Sequence, residues 1–177
     1  MTQILDAALD ALGEDPSASM GEIARRAGLV RATVYVHFPS RVDLVAAVTE
    51  RALADAHAAI AAAEPGRGAP ADALRRVLGA AWAALARYHP LIALSSDAPP
   101  EEIHRRHMPL LELVLPLIER GQVDGTFRDE VPAGWHLATL LALVHAASGE
   151  LRAGRIAPER VEQTLVATAL GAVAART

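Results

Sequence analysis

Histidine offers the widest choice of chemistry in this sequence, because an imidazole can bind a metal ion or transfer a proton near neutral pH. His104 and His107 are three residues apart on one face of a predicted helix, and His136 and His145 lie on a later helix that could face them. A zinc site needs three or four ligands that converge on one point. The spacing fixes no such convergence, and the sequence contains no cysteine. We therefore expect histidines that are partly exposed or line a pocket, with no metal ion and no cofactor.

Other catalytic motifs are absent from the sequence. It contains no HExxH motif, no glycine-rich phosphate loop and no nucleophile elbow, and Ser95-Ser96-Asp97 is typical of an ordinary polar loop. We therefore expect that the protein is not an enzyme. Large side chains in the second part of the chain usually belong to a core, but some could line a mostly apolar cavity for a small ligand. The candidates for such a cavity are Trp82, Tyr88, His104, Met108, Leu111, Trp135 and His145.

A second candidate surface is the arginine-flanked stretch of residues 19–41. Between Ile23 and Val42 the sequence has no acidic residue, whereas positions 25, 26, 31 and 41 are all arginine. A local positive patch of this kind suits contact with DNA phosphates. The residues of this stretch that could face DNA are Arg31, Ala32, Thr33, Val36 and His37.

Two short helices must position this stretch. Ser19 and Glu22 form a capping box that predicts a helix start, and Gly28 can adopt the left-handed conformation that ends the helix. A second helix is predicted from residue 30 or 31 to residue 37 or 38, because Pro39 prevents its continuation. Leu29 and Val34 would hold this helix against the core. Two short helices joined by a tight turn are typical of a helix-turn-helix, whose second helix lies in the major groove of DNA.

The run G-L-V-R-A-T-V-Y-V-H-F-P-S-R-V-D-L, residues 28–44, resembles the DNA-binding signature of the TetR family of transcriptional regulators. The resemblance is close over about the first third of the chain and extends to the rest only in layout. It implies that Arg31, Ala32 and Thr33 lie near base edges or phosphates. It also implies that Tyr35 and His37 contact the DNA backbone, that Phe38 packs into the core, and that Arg41 meets a phosphate.

The chain departs from the family pattern at several positions. Val30 stands where a Ser or Thr usually caps the second helix, Val36 replaces a residue that is often polar, and the first three residues offer no basic arm. Acidic residues also outnumber arginines over the first 51 positions. These features support an alternative function, a helical binding or scaffold protein of the same fold with weak or lost DNA recognition.

The remaining periodicity is helical throughout, which predicts an all-α fold. We expect a three-helix helix-turn-helix head at residues 1–46 and a larger ligand-binding and dimerisation region at residues 47–177. The first helix is amphipathic and ends at Gly13, and a long helix capped by Ser40 runs to residue 64. Later helices are predicted at residues 71–88, 101–120, 133–153 and 158–175, with a short one at Leu91–Leu94 and a loop over Ser95–Pro100. Pro109 and Pro116 should kink or divide the helix at residues 101–120.

Composition and resemblance together define the expected function. The net charge of −4 argues against indiscriminate coating of nucleic acid, so DNA contact should be focal. We see no signal peptide and no apolar run long enough to span a membrane, and expect a cytoplasmic protein with no membrane partner. The small-residue-rich last helix suggests a homodimer, which would place two heads on a pseudo-palindromic operator of double-stranded DNA. The resemblance implies a repressor that releases its operator when a small apolar effector binds.

Overall fold

The computed structural model describes residues 1–88 and 100–175, except for the side chains of residues 100, 103 and 104. Every element in these ranges is helical apart from one isolated bridge between Phe127 and Ala174, so the predicted all-α fold is confirmed. The elements predicted between residues 91 and 99 lie outside the described residues. The helices are α1 (Thr2–Glu14), α2 (Met20–Arg26), α3 (Arg31–His37), α4 (Arg41–Ala62), α5 (Pro70–Leu85), α6 (Pro100–Val123), α7 (Ala133–Arg152) and α8 (Pro158–Val173), with a 3-10 turn at Ala86–Tyr88.

The head consists of α1, α2 and α3 packed against the first half of α4. The capping box that begins α2 forms as predicted: the Ser19 hydroxyl accepts from the Glu22 amide, and the Glu22 carboxylate accepts from the Ser19 amide. Gly28 has a φ of 65°, a conformation that favours glycine, and it turns the chain from α2 into α3. Gln3 Nε2 donates to the Ala27 carbonyl at 2.7 Å and so ties α1 to the same turn.

Helix α4 joins the head to the rest of the molecule. Ser40 caps it by accepting from the Asp43 amide, as predicted. Its buried stripe begins at Leu44 and Val48 in the core of the head and ends at Ile60 in the core of the remaining helices. The division predicted after residue 46 therefore falls inside one continuous helix, and it stays a prediction.

The body is formed by α5, α6, α7 and α8 with the second half of α4. Helix α6 runs unbroken through Pro109 and Pro116, so these prolines do not divide it. Both prolines lie on its exposed side, where water can satisfy the carbonyls that lose an amide partner. Among the described residues, no helix is long and apolar enough to cross a lipid bilayer.

The end of α6 is closed by a tight aromatic contact. The buried Phe127 ring covers Gly121 so closely that a Cβ at this position would lie 2.1 Å from a ring carbon. The backbone beside Phe127 then pairs with the end of α8, where the Arg128 amide donates to the Val173 carbonyl at 2.9 Å. Only glycine fits under the ring, and this contact fixes α8 against α6.

Candidate DNA-binding surface and ligand cavity

Helix α3 lies on the surface of the head with one side chain anchoring it. Val34 is fully buried, and Leu29 packs partly against the same core. Phe38, at the end of the helix, is buried as predicted. The opposite side of α3 therefore faces solvent. It exposes Arg31, Ala32, Tyr35, Val36 and His37, while Thr33 is half-buried.

Arg31 and Tyr35 form a pair on this exposed side. They are one helical turn apart, and Arg31 Nη2 donates to the Tyr35 hydroxyl at 3.0 Å. The guanidinium carbon also lies 5.1 Å from the centroid of the Tyr35 ring. Stacking of this kind holds an arginine outward in a limited set of rotamers, so less side-chain entropy is lost when its donors bind an anion.

The other arginines of the head differ in their partners. Arg26 Nη1 donates to Glu14 Oε1 at 3.0 Å, and this hydrogen bond, with the positive charge, lowers the pKa of the Glu14 carboxyl. Arg41 Nε lies 3.5 Å from the Ala18 carbonyl, and its Nη2 donates to the Pro16 carbonyl. Arg41 thus holds the loop between α1 and α2, and a phosphate would have to share its guanidinium. Arg25 is exposed.

Three valines on or next to α3 in the sequence are exposed. Val30, Val36 and Val42 have exposed fractions of 70%, 80% and 76%. Val30 makes no side-chain cap, in line with the departure seen in the sequence. The exposure of Val42 was not anticipated from the sequence, because its position at the start of α4 gives no local signal of which way it points.

A cavity of about 140 Å³ lies in the body between α4, α5, α6 and α7. Its wall is almost entirely aliphatic. The polar residues among those that line it are Thr49, Arg106, His107 and His145. The aliphatic wall includes Leu53 and Ile60 of α4, Leu74 and Leu78 of α5, Leu110, Leu111 and Val114 of α6, and Leu137, Leu140, Leu141 and Val144 of α7.

The two histidines meet across the cavity from α6 and α7. The ring centroids of His107 and His145 are 5.6 Å apart, with the planes at 61°. Burial lowers the pKa of His145 below its usual value of 6.5, and the neighbouring His107 lowers it further. Arg106, the residue before His107, also lines the cavity and donates to Glu102 one turn earlier on α6. In the described part of the chain, no group of three or more His, Asp or Glu side chains is placed to hold a metal ion.

The residues predicted for a cavity lie in several different places. Leu111 and His145 line it, whereas His104 is among the side chains outside the described set. Met108 and Trp135 are exposed at 37% and 66%, and neither is among the lining residues. Trp82 is buried against Val161 and Leu165 of α8, and Tyr88 is buried in the core of the head. The other predicted histidine, His136, is buried with its Nε2 2.9 Å from the Arg128 carbonyl.

The arrangement of α2 and α3, with the exposed side of α3 facing solvent, is that of a helix-turn-helix. The family model described as bacterial regulatory proteins, tetR family, matches residues 4–48. Over 75 residues, 42% of this chain, the sequence is 43% identical to the HTH-type transcriptional repressor LfrR of Mycolicibacterium smegmatis. That alignment spans 40% of the length of LfrR.

The similarity in structure extends over the whole chain. The crystal structure of the TetR-like transcriptional regulator LfrR from Mycobacterium smegmatis in complex with proflavine superposes with a TM-score of 0.74 at 25% identity, covering 99% of this chain and 98% of that one. A putative TetR-family transcriptional regulator from Rhodococcus sp. gives a TM-score of 0.78 at 21% identity and 97% coverage of both chains, which concerns the fold alone. Residues 4–48 thus match the model of the tetR family of bacterial regulatory proteins, and the chain as a whole has the fold of TetR-like regulators.

Proposed function

We propose that this protein is a transcriptional repressor that binds a pseudo-palindromic operator as a homodimer and releases it when a small ligand enters the body. It would act on chromosomal DNA in the cytoplasm. The observation that carries the DNA-binding part is the outward Arg31–Tyr35 pair on the exposed side of α3. Arginine in this position can contact a guanine edge or a phosphate, and Tyr35 and His37 can donate to the backbone of the duplex.

The dimer would form through α7 and α8. These helices pack on each other and leave a band of small exposed residues, which allows two helices of a second copy to approach closely. We expect Ala142→Arg to give a monomer by analytical ultracentrifugation and to weaken operator binding, while Ala58→Arg, at an exposed position on α4, leaves the dimer intact. The band consists of Ala138, Ala142 and Ala146 on α7 and of Thr164, Ala167, Thr168 and Gly171 on α8.

The path from the cavity to the head is short. Helix α5 lines the cavity with Ala81 and Leu85, and the 3-10 turn that follows it places Tyr88 in the core of the head. The Tyr88 hydroxyl donates to Asp55 on α4. A ligand that favours one position of α5 would therefore shift the populations of head orientations through Tyr88 and α4.

The same junction is strengthened by charge. Arg51 of α4 and Arg87 of the 3-10 turn both lie 3.0 Å from the Asp6 carboxylate of α1. Asp6 thus connects the first helix of the head to two segments that reach the body. Ionic contacts at a partly exposed junction contribute little to stability, but they define the preferred orientation of the parts that they join.

Binding of the protein to labelled DNA flanking its own gene, measured by fluorescence anisotropy at several salt concentrations, tests this function. We expect saturable binding that weakens as salt rises, since phosphate contacts release counterions. Arg31→Ala should weaken binding by about 5- to 150-fold, the equivalent of about 1–3 kcal/mol for a base-reading arginine. The matched control is Arg75→Ala, an exposed arginine of α5 paired with Asp72. Unchanged affinity of Arg31→Ala would refute this use of α3.

A helical binding protein with weak DNA recognition is the second candidate function. Arg26 and Arg41 are engaged within the protein, and three valines on or next to α3 in the sequence are exposed. These observations leave fewer cations for phosphates than the sequence suggests. This candidate gains if no DNA from the flanking region binds at low salt while the dimer and the ligand cavity are intact.

A further inference from the structure

Arg106 is the permanently charged side chain among the described residues that line the cavity. The guanidinium carries only donors, and each neutral imidazole offers one N–H donor and one acceptor nitrogen. The Thr49 hydroxyl donates to the Val45 carbonyl at 2.9 Å and can still accept a hydrogen bond. No Asp or Glu occurs among the described residues that line the cavity. The nearest carboxylate in sequence, Glu102, is shared by Arg106 and Arg105, so these three side chains sum to one positive charge. A ligand group that accepts hydrogen bonds and carries negative charge would match the positive charge of Arg106 and the N–H donors of the two histidines.

The size of the cavity restricts the apolar part of the ligand. Cavities of about 150 Å³ lined by aliphatic side chains accommodate one benzene-sized molecule. The volume of this cavity, about 140 Å³, is close to that value, and the walls from α4 and α5 are aliphatic except for Thr49. One ring, or a branched chain of similar volume, therefore fills the space without displacing a helix.

We propose that the cavity binds a small organic acid whose single ring lies among the aliphatic side chains and whose carboxylate contacts Arg106 and the His107–His145 pair. The role of this acid as an effector rests on the proposed function. The binding of the acid does not, since it concerns the ligand class and not the DNA. Arg106 and His107 are consecutive on α6, and both line the cavity together with His145 of α7.

The histidine pair would respond to the charge of the ligand. Burial and the neighbouring His107 both lower the pKa of His145, and the other charged side chain among the described lining residues is Arg106. A carboxylate beside the two rings favours the imidazolium form, because an opposite charge within hydrogen-bonding distance stabilises the charged state. Binding of the acid should therefore be accompanied by uptake of a proton.

Three probes of the same shape and different charge test the ligand class: 3-phenylpropanoate, 3-phenylpropan-1-ol and 3-phenylpropylammonium. Each is titrated into the DNA-free dimer by isothermal titration calorimetry near pH 6.5, in two buffers of different ionisation enthalpy. We expect the acid to bind about 10- to 100-fold more tightly than the alcohol, as charge-assisted hydrogen bonds provide. The ammonium should bind most weakly, and only the acid should take up a proton.

Two variants locate the effect. Arg106→Gln should remove most of the preference for the acid and leave binding of the alcohol nearly unchanged, and His145→Leu should abolish the proton uptake. Arg75→Gln, at the distant pair with Asp72, should change neither. Equal affinities for the three probes, a preference for the ammonium, or no binding of any probe at about 1 mM would overturn the inference.

Whether a bound ligand releases the operator is tested separately from which ligand binds. If the acid binds as expected but leaves the operator complex intact, the ligand class stands and the proposed ligand-responsive release fails. If the ammonium alone releases the operator, the release mechanism stands and the ligand class proposed here is wrong.

Discussion

The head and the body of this protein place their functional side chains in opposite ways. The head presents its candidates on one seven-residue helix, with Arg31 and Tyr35 directed outward and a single buried valine below them. The body assembles its cavity from four helices that are separated by as much as 96 positions, from Thr49 to His145. The first arrangement depends on local geometry, and the second depends on how whole helices pack.

The difference has consequences for what a substitution does. A change on the exposed side of α3 should alter the proposed contact with DNA and leave the packing of the head unaltered. A change in the cavity wall alters a ligand contact and a helix contact together, since the same side chains form the body core. Variants of the head therefore separate folding from function more cleanly than variants of the body.

The largest expected effects come from truncating a buried side chain in the core of the head or in the core of the body, which compares the stability of the two cores. Leu12 in the head and Ile118 in the body are both fully buried, and replacing either by Ala should lower the free energy of unfolding by about 2–5 kcal/mol. Because α4 and Tyr88 join the cores, we expect one cooperative transition in both variants, measured by chemical denaturation with circular dichroism. Val123→Ala, at a position that is 90% exposed, is the control. A two-step unfolding curve for Leu12→Ala would show that head and body unfold separately.

A smaller effect is expected at the contact between the two regions. Burial raises the pKa of Tyr88 to about 12, with the hydrogen bond to Asp55 contributing in the same direction, so the hydroxyl remains a donor at all physiological pH values. Tyr88→Phe keeps the ring and removes this donor, which should cost about 1–3 kcal/mol because the acceptor is charged. Its specific consequence is weaker coupling between ligand and operator binding, measured as the ratio of operator affinities with and without ligand. An unaltered ratio would place the coupling elsewhere.

The missing cap of α3 offers a test confined to the head. Val30 precedes the helix without a side-chain hydrogen bond, and Val30→Ser would supply an acceptor for an amide of the first turn. We expect a gain of about 1 kcal/mol in unfolding free energy, observed as a higher denaturation midpoint. The companion variant Val30→Ala, which adds no acceptor, should show no such gain. A destabilised Val30→Ser protein would mean that the exposed valine makes contacts of its own.

The smallest expected effect is a change in the pH dependence of stability, and it belongs to the body. The folded-state pKa of His145 lies below 6.5, so between these values the unfolded chain binds more protons than the folded chain. The stability linked to His145 is therefore complete above pH 6.5 and is lost as the pH falls through the folded-state pKa.

His145→Leu removes this contribution, so the variant should lose less stability than the parent between about pH 7 and about pH 5. Denaturation midpoints across this range measure the difference. Parallel curves for the two proteins would contradict the assignment of a depressed pKa to His145. His107, whose ring lies against His145, and Arg106, which lines the same cavity, remain in both proteins.

The parts of the fold that sequence could predict are those encoded locally. The start of α2 follows from Ser19 and Glu22, the turn after it from Gly28, and the end of α3 precedes Pro39. Each of these signals acts within four residues of its effect. The burial of Val34 and Phe38 then follows from the spacing of apolar residues along the short helix.

The sequence predicts that the body contains a cavity, but it does not predict which residues line it. Leu111 and His145 line it, but α7 has apolar or small residues on several sides, and periodicity alone does not decide which side turns inward. Trp135 is therefore exposed although its size suggested a pocket, and the aliphatic wall from α4 and α5 was not anticipated. Those positions are decided by contacts between helices that are distant in sequence.

The position of Tyr88 limits how freely this head could be exchanged between proteins. Its ring completes the core of the head, but it is supplied by a residue beyond α5, 51 positions after the last residue of α3. A chimera that joined residues 1–62 to a foreign body would leave an unfilled space in that core unless the new body supplied an aromatic side chain at the same place. Transplanting DNA specificity should therefore succeed by grafting the exposed side of α3, and fail when the head is moved as a block.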